Sequence, residues 1–439
     1  MAFSSGIEAA TAAAPVARAL RPGQIAAVAA GNALEFYDFV TYAFFAVQIG
    51  RTFFPARSAT DSLLASLATF GAGFLFRPLG ALVIGRMGDR RGRKPAMLLS
   101  FGLVGIAVVG LALTPSFARI GMLAPVLAVG FRMLQGFALG GEVGPSTAFL
   151  MEAAPPARRG LYTSFQAMSA DLAVLVAGLV GVVLSNLMDA SALDAWGWRV
   201  ALLLGAIIIP FGLALRQTLE ETLHDRDEQA PPAGGLARIA ISGVALLASA
   251  TTATYILDYL TTYAATTLGM PARLAFGATV TVGLCSTVCD PLGGWLSDRF
   301  GRKPVLIVPA CALLLLAFPC FRMLEHTRSP LALYGATALL ASCCALSSVS
   351  MIVVITEALP RGARSGGLAM IYALAISVFG GSVQFTVAWL IVRTGNPLVP
   401  AWYMTGGVLV GLVAMLTLRE TAPAVLAGRG RRAADTAPR

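Results

Sequence analysis

The chain has 439 residues, 57% hydrophobic and only 12% charged, with a mean hydropathy of +0.77. A soluble chain of this length would carry about twice that share of charge, so a water-soluble globular fold is excluded and a polytopic membrane protein is expected. The net charge of +10 could point to nucleic acid, but its distribution along the chain does not.

Residues 1–23 lack a basic start followed by an apolar run, so they read as a short cytoplasmic tail and not as a cleaved signal. Apolar stretches able to cross a ~30 Å hydrocarbon core then recur along nearly the whole chain. The first six predicted spans are 24–49, 62–86, 95–114, 120–143, 161–186 and 197–215, forming a bundle over 24–215. A polar segment, 216–237, reads as a cytoplasmic linker. Six more spans, 238–263, 273–296, 304–322, 332–355, 366–392 and 401–418, form a second bundle over 238–418, and 419–439 read as a cytoplasmic tail. The expected fold is all-α, twelve transmembrane helices in two six-helix pseudo-repeats.

With both termini inside, 22 of the 32 Lys and Arg fall on the inner side and 8 on the outer side. Arg77 and Arg132 are the two that fall in the interior of predicted spans, away from their ends. That bias is the positive-inside pattern; it sets orientation and removes the reason to invoke a polyanion. The six cysteines all lie in predicted helices of the second half and read as small packing residues. Both histidines, His224 and His326, lie in loops, so no metal site, cofactor or nucleophile–base pair is expected, and an enzyme is disfavoured. The tails are too short for an appended signalling domain, as a transporter-like receptor would carry.

The chain repeats itself. "GRMGDRRGRKP" (85–95) returns as "GWLSDRFGRKP" (294–304), and "MEAAPPARRG" (151–160) returns as "TEALPRGARSG" (356–366). Both pairs fall on inner loops, after the second and fourth predicted span of each half. Gly85 and Gly294 permit close helix approach. Asp89 and Asp298 can meet Arg93 and Arg302 or the positive end of a neighbouring helix, so these six residues are candidates for a conformational latch. Glu142, Glu152 and Glu357, beside the same loops, are candidate gate residues.

Charges inside the spans are the strongest functional signal. A carboxylate at bilayer depth costs roughly 2.5–3.5 kcal/mol on insertion scales and therefore faces a partner or a cavity. At ~1.5 Å per residue, Glu35 lies about 16 Å and Asp38 about 21 Å from the inner end of the first span; Arg132 lies about 16 Å and Arg77 about 14 Å deep. Arg132 is expected to engage both acids, leaving Arg77 as a carboxylate ligand through its planar fork. Asp171 and Asp258 are expected to line the cavity, and Asp290 to be an accessible interface position. Gln135, Gln166, Tyr372 and Gln384 can hydrogen-bond a substrate or join helices.

Parallel duplication of six-helix halves is the architecture of the major facilitator superfamily, and the repeated loop resembles its signature. "GNALEFYDFVTYAFFA" (31–46), "RPLGALVIGRMGDRRGRK" (77–94) and "RMLQGFALGGEVGPSTAFLMEAAPPARRGLYTSFQ" (132–166) together resemble the metabolite:proton symporter family, nearest its citrate and tricarballylate branch. The resemblance implies proton-coupled import of a small, anionic metabolite, with the proton as coupling ion, no cofactor, and Asp38 as proton site paired with Arg132. Glu35 is its neighbour, and Arg77, Arg132, Tyr37, Gln135, Gln166, Asp258, Tyr372 and Gln384 form the candidate substrate set. It further implies a multi-pass, monomeric protein in a bacterial inner membrane with the lipid bilayer as its surroundings and no nucleic-acid partner. The competing substrate is a zwitterionic osmolyte such as proline or betaine, or another metabolite such as shikimate; an aromatic cage would favour the zwitterion.

Overall fold

The computed structural model describes residues 32–33, 36–91, 93–140, 143, 147–148, 150–151, 154–217, 233–360, 364–418, 420–422 and 425; side chains of a few helical residues, among them 85, 88–91, 93–94, 97, 208–217, 233–236 and 365, fall outside the description. The described residues form long helices. We label them α1 (36–44 continuing through Ala46–Phe53), α2 (Ala59–Leu75 and Arg77–Arg91), α3 (Arg93–Leu113), α4 (Leu123–Leu139), α5 (Arg159–Leu187) and α6 (Trp198–Gln217). The second half holds α7 (Ala233–Thr266), α8 (Ala272–Phe300), α9 (Arg302–Thr327), α10 (Pro330–Ala358), α11 (Arg364–Ala375, a π turn Ile376–Gly380, then Val383–Thr394) and α12 (Val399–Thr417). Each half contributes six helices, in the order expected from the repeat. Among the described residues, eight stretches are long and apolar enough to cross a membrane, and Leu98–Leu113 and Leu123–Leu139 are shorter apolar helices.

Local chemistry explains where helices start and stop. The Ser58 hydroxyl accepts from the Asp61 N–H at the start of α2, and Ser329 accepts from Ala332 ahead of Pro330 in α10. α11 ends at Gly395, which takes the left-handed conformation (φ 66°) that a side chain would resist. Large apolar side chains face outward: Leu187, Leu315 and Leu331 are 79%, 75% and 84% exposed. In water such a surface would aggregate; facing lipid tails it costs nothing.

Lipid also removes the hydrophobic drive between helices, so contact rests on close packing of small residues. α2 and α4 illustrate this. A methyl group on Gly136 would land on the Gly73 carbonyl, one on Gly80 on the Phe137 carbonyl, and one on Gly140 on the Arg77 carbonyl. These glycines bring the two backbones together and set Arg77 and Arg132 at one level. α5 and α8 also approach closely across the two halves: Gly160 faces Gly294, Gly178 faces Val280, and Gly283 faces Leu175.

Candidate substrate and proton site

Arg77 and Arg132 are both buried, at 4% and 1% exposure. Their guanidinium carbons lie 4.5 and 4.7 Å from the centroid of one ring, Phe39 of α1. Arg77 also stacks on Phe74 at 4.6 Å; Arg132 stacks on Tyr42 at 4.4 Å and Phe70 at 5.1 Å. Tyr255 of α7 closes the aromatic set, edge-on to Phe74 at 5.4 Å and Phe70 at 6.2 Å. A ring face compensates part of a cation's desolvation, yet it leaves the N–H donors unused. Among the described residues, Arg77 Nε and Arg132 Nε and Nη2 have no hydrogen-bond partner. A buried guanidinium with idle donors has the chemistry to receive the oxygens of an anion.

The expected pairing of Arg132 with Asp38 is not what the structure holds. Arg132 donates through Nη1 to Gln135 Oε1, one turn along α4. Asp38 (1% exposed) lies on the flank of α1 that packs on α6, where a methyl on Gly205 would strike its carboxylate, and its Oδ1 has no partner. Tyr37 takes the same flank and donates to the Ala201 carbonyl at 3.0 Å. The face of α1 turned to the arginines is Phe39 and Tyr42. Successive helical residues differ by about 100° in direction, so one position decides between cavity and helix interface. Glu35 lies outside the described residues.

The other candidates separate by environment. Asp258 of α7 is 6% exposed with Oδ1 unpartnered, and Gln384 of α11 is 1% exposed with neither amide atom partnered. Tyr372 of α11 stands within Coulombic reach of Arg77, as does Tyr255. Gln166 serves as helix glue: its Nε2 donates to Asn32 Oδ1 at 3.4 Å and its backbone carbonyl accepts from Asn32 Nδ2 at 3.0 Å, while Asn32 also donates to Ser169 at 2.8 Å. Asp290 corrects the sequence expectation. It is 1% exposed and not accessible, because α8 packs backbone to backbone on α5, and it faces Asp171.

At the end of the bundle carrying the repeated loops, Arg302 (0% exposed) is the hub. Its Nη1 donates to Asp298 Oδ1 at 2.7 Å and Ser297 Oγ at 2.9 Å; its Nη2 and Nε donate to Glu357 at 3.0 and 3.4 Å. The Asp298 carboxylate crosses to the other half, accepting from the Gly160 and Leu161 N–H groups at 2.8 and 2.9 Å. Those are free donors of the first turn of α5, where the helix dipole favours an anion. Gly294 has the Gly160 carbonyl 2.5 Å from where its methyl would stand. Beyond α12, Glu420 accepts from the Arg302 and Lys303 N–H groups at 2.8 and 3.0 Å, a contact that no local sequence pattern signals. The side chains of Gly85, Asp89 and Arg93, and residues Glu142 and Glu152, lie outside the description. Among the described residues no group of three or more His, Cys, Asp or Glu is placed to hold a metal, and the cysteines are free.

Comparison with known proteins agrees with this architecture. The family model "Sugar (and other) transporter" matches residues 24–232 and again 233–427. The chain is 36% identical to the citrate-proton symporter of Klebsiella pneumoniae over 93% of this chain and 94% of that one. It is 30% identical to the proline/betaine transporter of Escherichia coli (strain K12), covering 94% of this chain and 86% of that one. A solved structure of the xylose transporter XylE from E. coli superimposes with a TM-score of 0.75 at 19% identity, covering 90% and 97% of the two chains. This is a membrane transporter and not an enzyme. The chain belongs to the sugar (and other) transporter family of the major facilitator superfamily.

Proposed function

We propose that the protein is a proton-coupled symporter that imports a small di- or tricarboxylate, such as citrate, by alternating access. The observation that carries this reading is the pair of buried arginines on one aromatic cluster, each with donors left idle. An anion entering a ~30 Å low-dielectric barrier needs fixed positive charge at depth, and two guanidiniums offer forks for two carboxylates. Tyr255, Tyr372, Asp258 and Gln384 would fix orientation through hydroxyl, acid and amide groups. The similarity to a citrate-proton symporter supports the same substrate class.

Asp38 is the proposed proton site, loaded and unloaded at the α1–α6 interface, with Tyr37 holding that interface and Gln135 holding Arg132 apart from it. Asp298, Arg302 and Glu357 form the proposed latch between halves. The positive-inside bias supports cytoplasmic termini, the similarity to bacterial transporters supports a bacterial inner membrane, and a monomer needing no cofactor completes the reading. The aromatic cluster argues against a zwitterionic osmolyte, since Phe39, Tyr42, Phe70 and Phe74 already carry the arginines and offer no free cage to a quaternary ammonium. Uptake of citrate, 2-oxoglutarate, shikimate, proline and betaine into proteoliposomes under an imposed pH gradient tests the reading.

A further inference from the structure

A second group of acids lies where the two halves meet, with Tyr372 of α11 in reach of both Asp171 and Arg77. Asp171 is on α5, in the first half, and Asp290 on α8, in the second. The antiparallel register is set by Gly160 opposite Gly294, Leu175 opposite Gly283 and Gly178 opposite Val280. That register puts Asp171 and Asp290 about one helical turn apart in level, on adjoining faces. The side chains meet: Asp171 and Asp290 stand within hydrogen-bonding reach of each other. Asp290 is 1% exposed, and neither of its oxygens has a donor among the described residues.

Two carboxylates facing one another without a donor are both acceptors. Asp290 is sealed while Asp171 keeps part of its surface open, and two carboxylates in contact with no donor between them hold together by sharing one proton instead of carrying two charges. The groups around it supply no counter-charge. They are Asp258 on α7, whose Oδ1 is itself unpartnered, Cys344 on α10, Cys289 on α8 and Tyr372 on α11. Among the described residues, neither carboxylate has a basic partner.

We infer that Asp171 and Asp290 form an inter-half proton site, separate from Asp38, at which one proton shared between the carboxylates is required for α5 and α8 to close on each other. Loss of that proton leaves two like charges across the interface and drives the halves apart. The protein thus binds a proton where its moving parts meet as well as within the first bundle. The inference rests on the proton-coupled reading above.

Two measurements on the full chain test it. Substrate-free infrared difference spectra of purified protein should show the carbonyl stretch of a buried protonated carboxyl. That band should be lost in Asp171→Asn and equally in Asp290→Asn, with no further loss in the double variant. Citrate exchange in proteoliposomes at equal pH on both sides should fall about tenfold per pH unit above the titration of the pair. Either single Asn variant should flatten that alkaline fall, and the double variant should match the singles. A band unchanged in both variants, independent partial effects that add in the double, or an alkaline fall reversed by sodium ions would overturn the shared proton. Absence of citrate exchange with the band behaving as expected would count against the carboxylate substrate and leave the proton site standing.

Discussion

Arg77 and Arg132, 55 residues apart on α2 and α4, lie against the same ring of Phe39 with guanidinium carbons 4.5 and 4.7 Å from its centroid. The two like charges tolerate this because aromatic faces surround both and because Gln135 binds only one nitrogen of Arg132. An entering polycarboxylate would relieve their repulsion and satisfy the idle donors together.

Replacing Arg77 by Lys keeps the charge and removes the fork. The apparent half-saturation for a di- or tricarboxylate should rise about tenfold, the effect of ~1.4 kcal/mol. Uptake kinetics in proteoliposomes measure this, and an unchanged half-saturation would place the carboxylate elsewhere.

The glycines between α2 and α4 should matter as much as the arginines. Gly136→Ala puts a methyl on the Gly73 carbonyl and must push the helices apart, at a cost of roughly 1–3 kcal/mol. Thermal stability and carboxylate affinity should fall together. Gly130→Ala on the same helix meets nothing within 4 Å and should leave both within error or slightly raise stability. Equal behaviour of the two variants would refute the packing account.

Asp298→Asn keeps the shape of the proposed latch but removes its charge. Hydrogen bonds to a charged group contribute roughly 1.5–3 kcal/mol, part of which an amide retains. Turnover should drop several-fold with substrate affinity nearly unchanged. A matching loss of binding by well-folded protein would connect Asp298 to the substrate site instead.

Glu420 gives a pH-dependent contribution outside the membrane. Burial pushes its pKa up, but backbone donors from Arg302, Ala422, Lys303 and Thr421 outweigh that and hold it below the usual 4.5. A folded value below the unfolded one contributes stability that is present above 4.5 and lost as pH falls through the folded value. Glu420→Gln should therefore lower the melting temperature at neutral pH, with the difference from wild type closing below pH 4.5. A difference that persists or widens in acid would contradict the capping role.

Much of the fold was legible in the sequence because lipid imposes a simple rule: apolar runs of span length, with charges in loops. The duplication was visible because the 85–95 and 294–304 stretches share residues at matching positions. The direction of Asp38 was not legible. Tyr37, Asp38 and Phe39 are consecutive, and only packing of α1 on α6 through Gly205 decides which faces the arginines. The aromatic set was missed although a signal existed: Phe70, Phe74 and Arg77 recur at four- and three-residue spacing on α2, and Phe39 and Tyr42 at three on α1. Burial of Asp290 depends on α5 lying against α8, a long-range contact that no local pattern encodes. The pairing of Arg302 with Glu357 across 55 residues is of the same kind.

The central claim is that the buried arginines receive a carboxylate substrate coupled to protons. The most direct measurement is labelled citrate accumulation in proteoliposomes under an inward proton gradient, with betaine in parallel. The account predicts uphill citrate accumulation that collapses with a protonophore, is weakened about tenfold in apparent affinity by Arg77→Lys, and has no betaine counterpart. Robust proton-driven betaine uptake without citrate accumulation would contradict it.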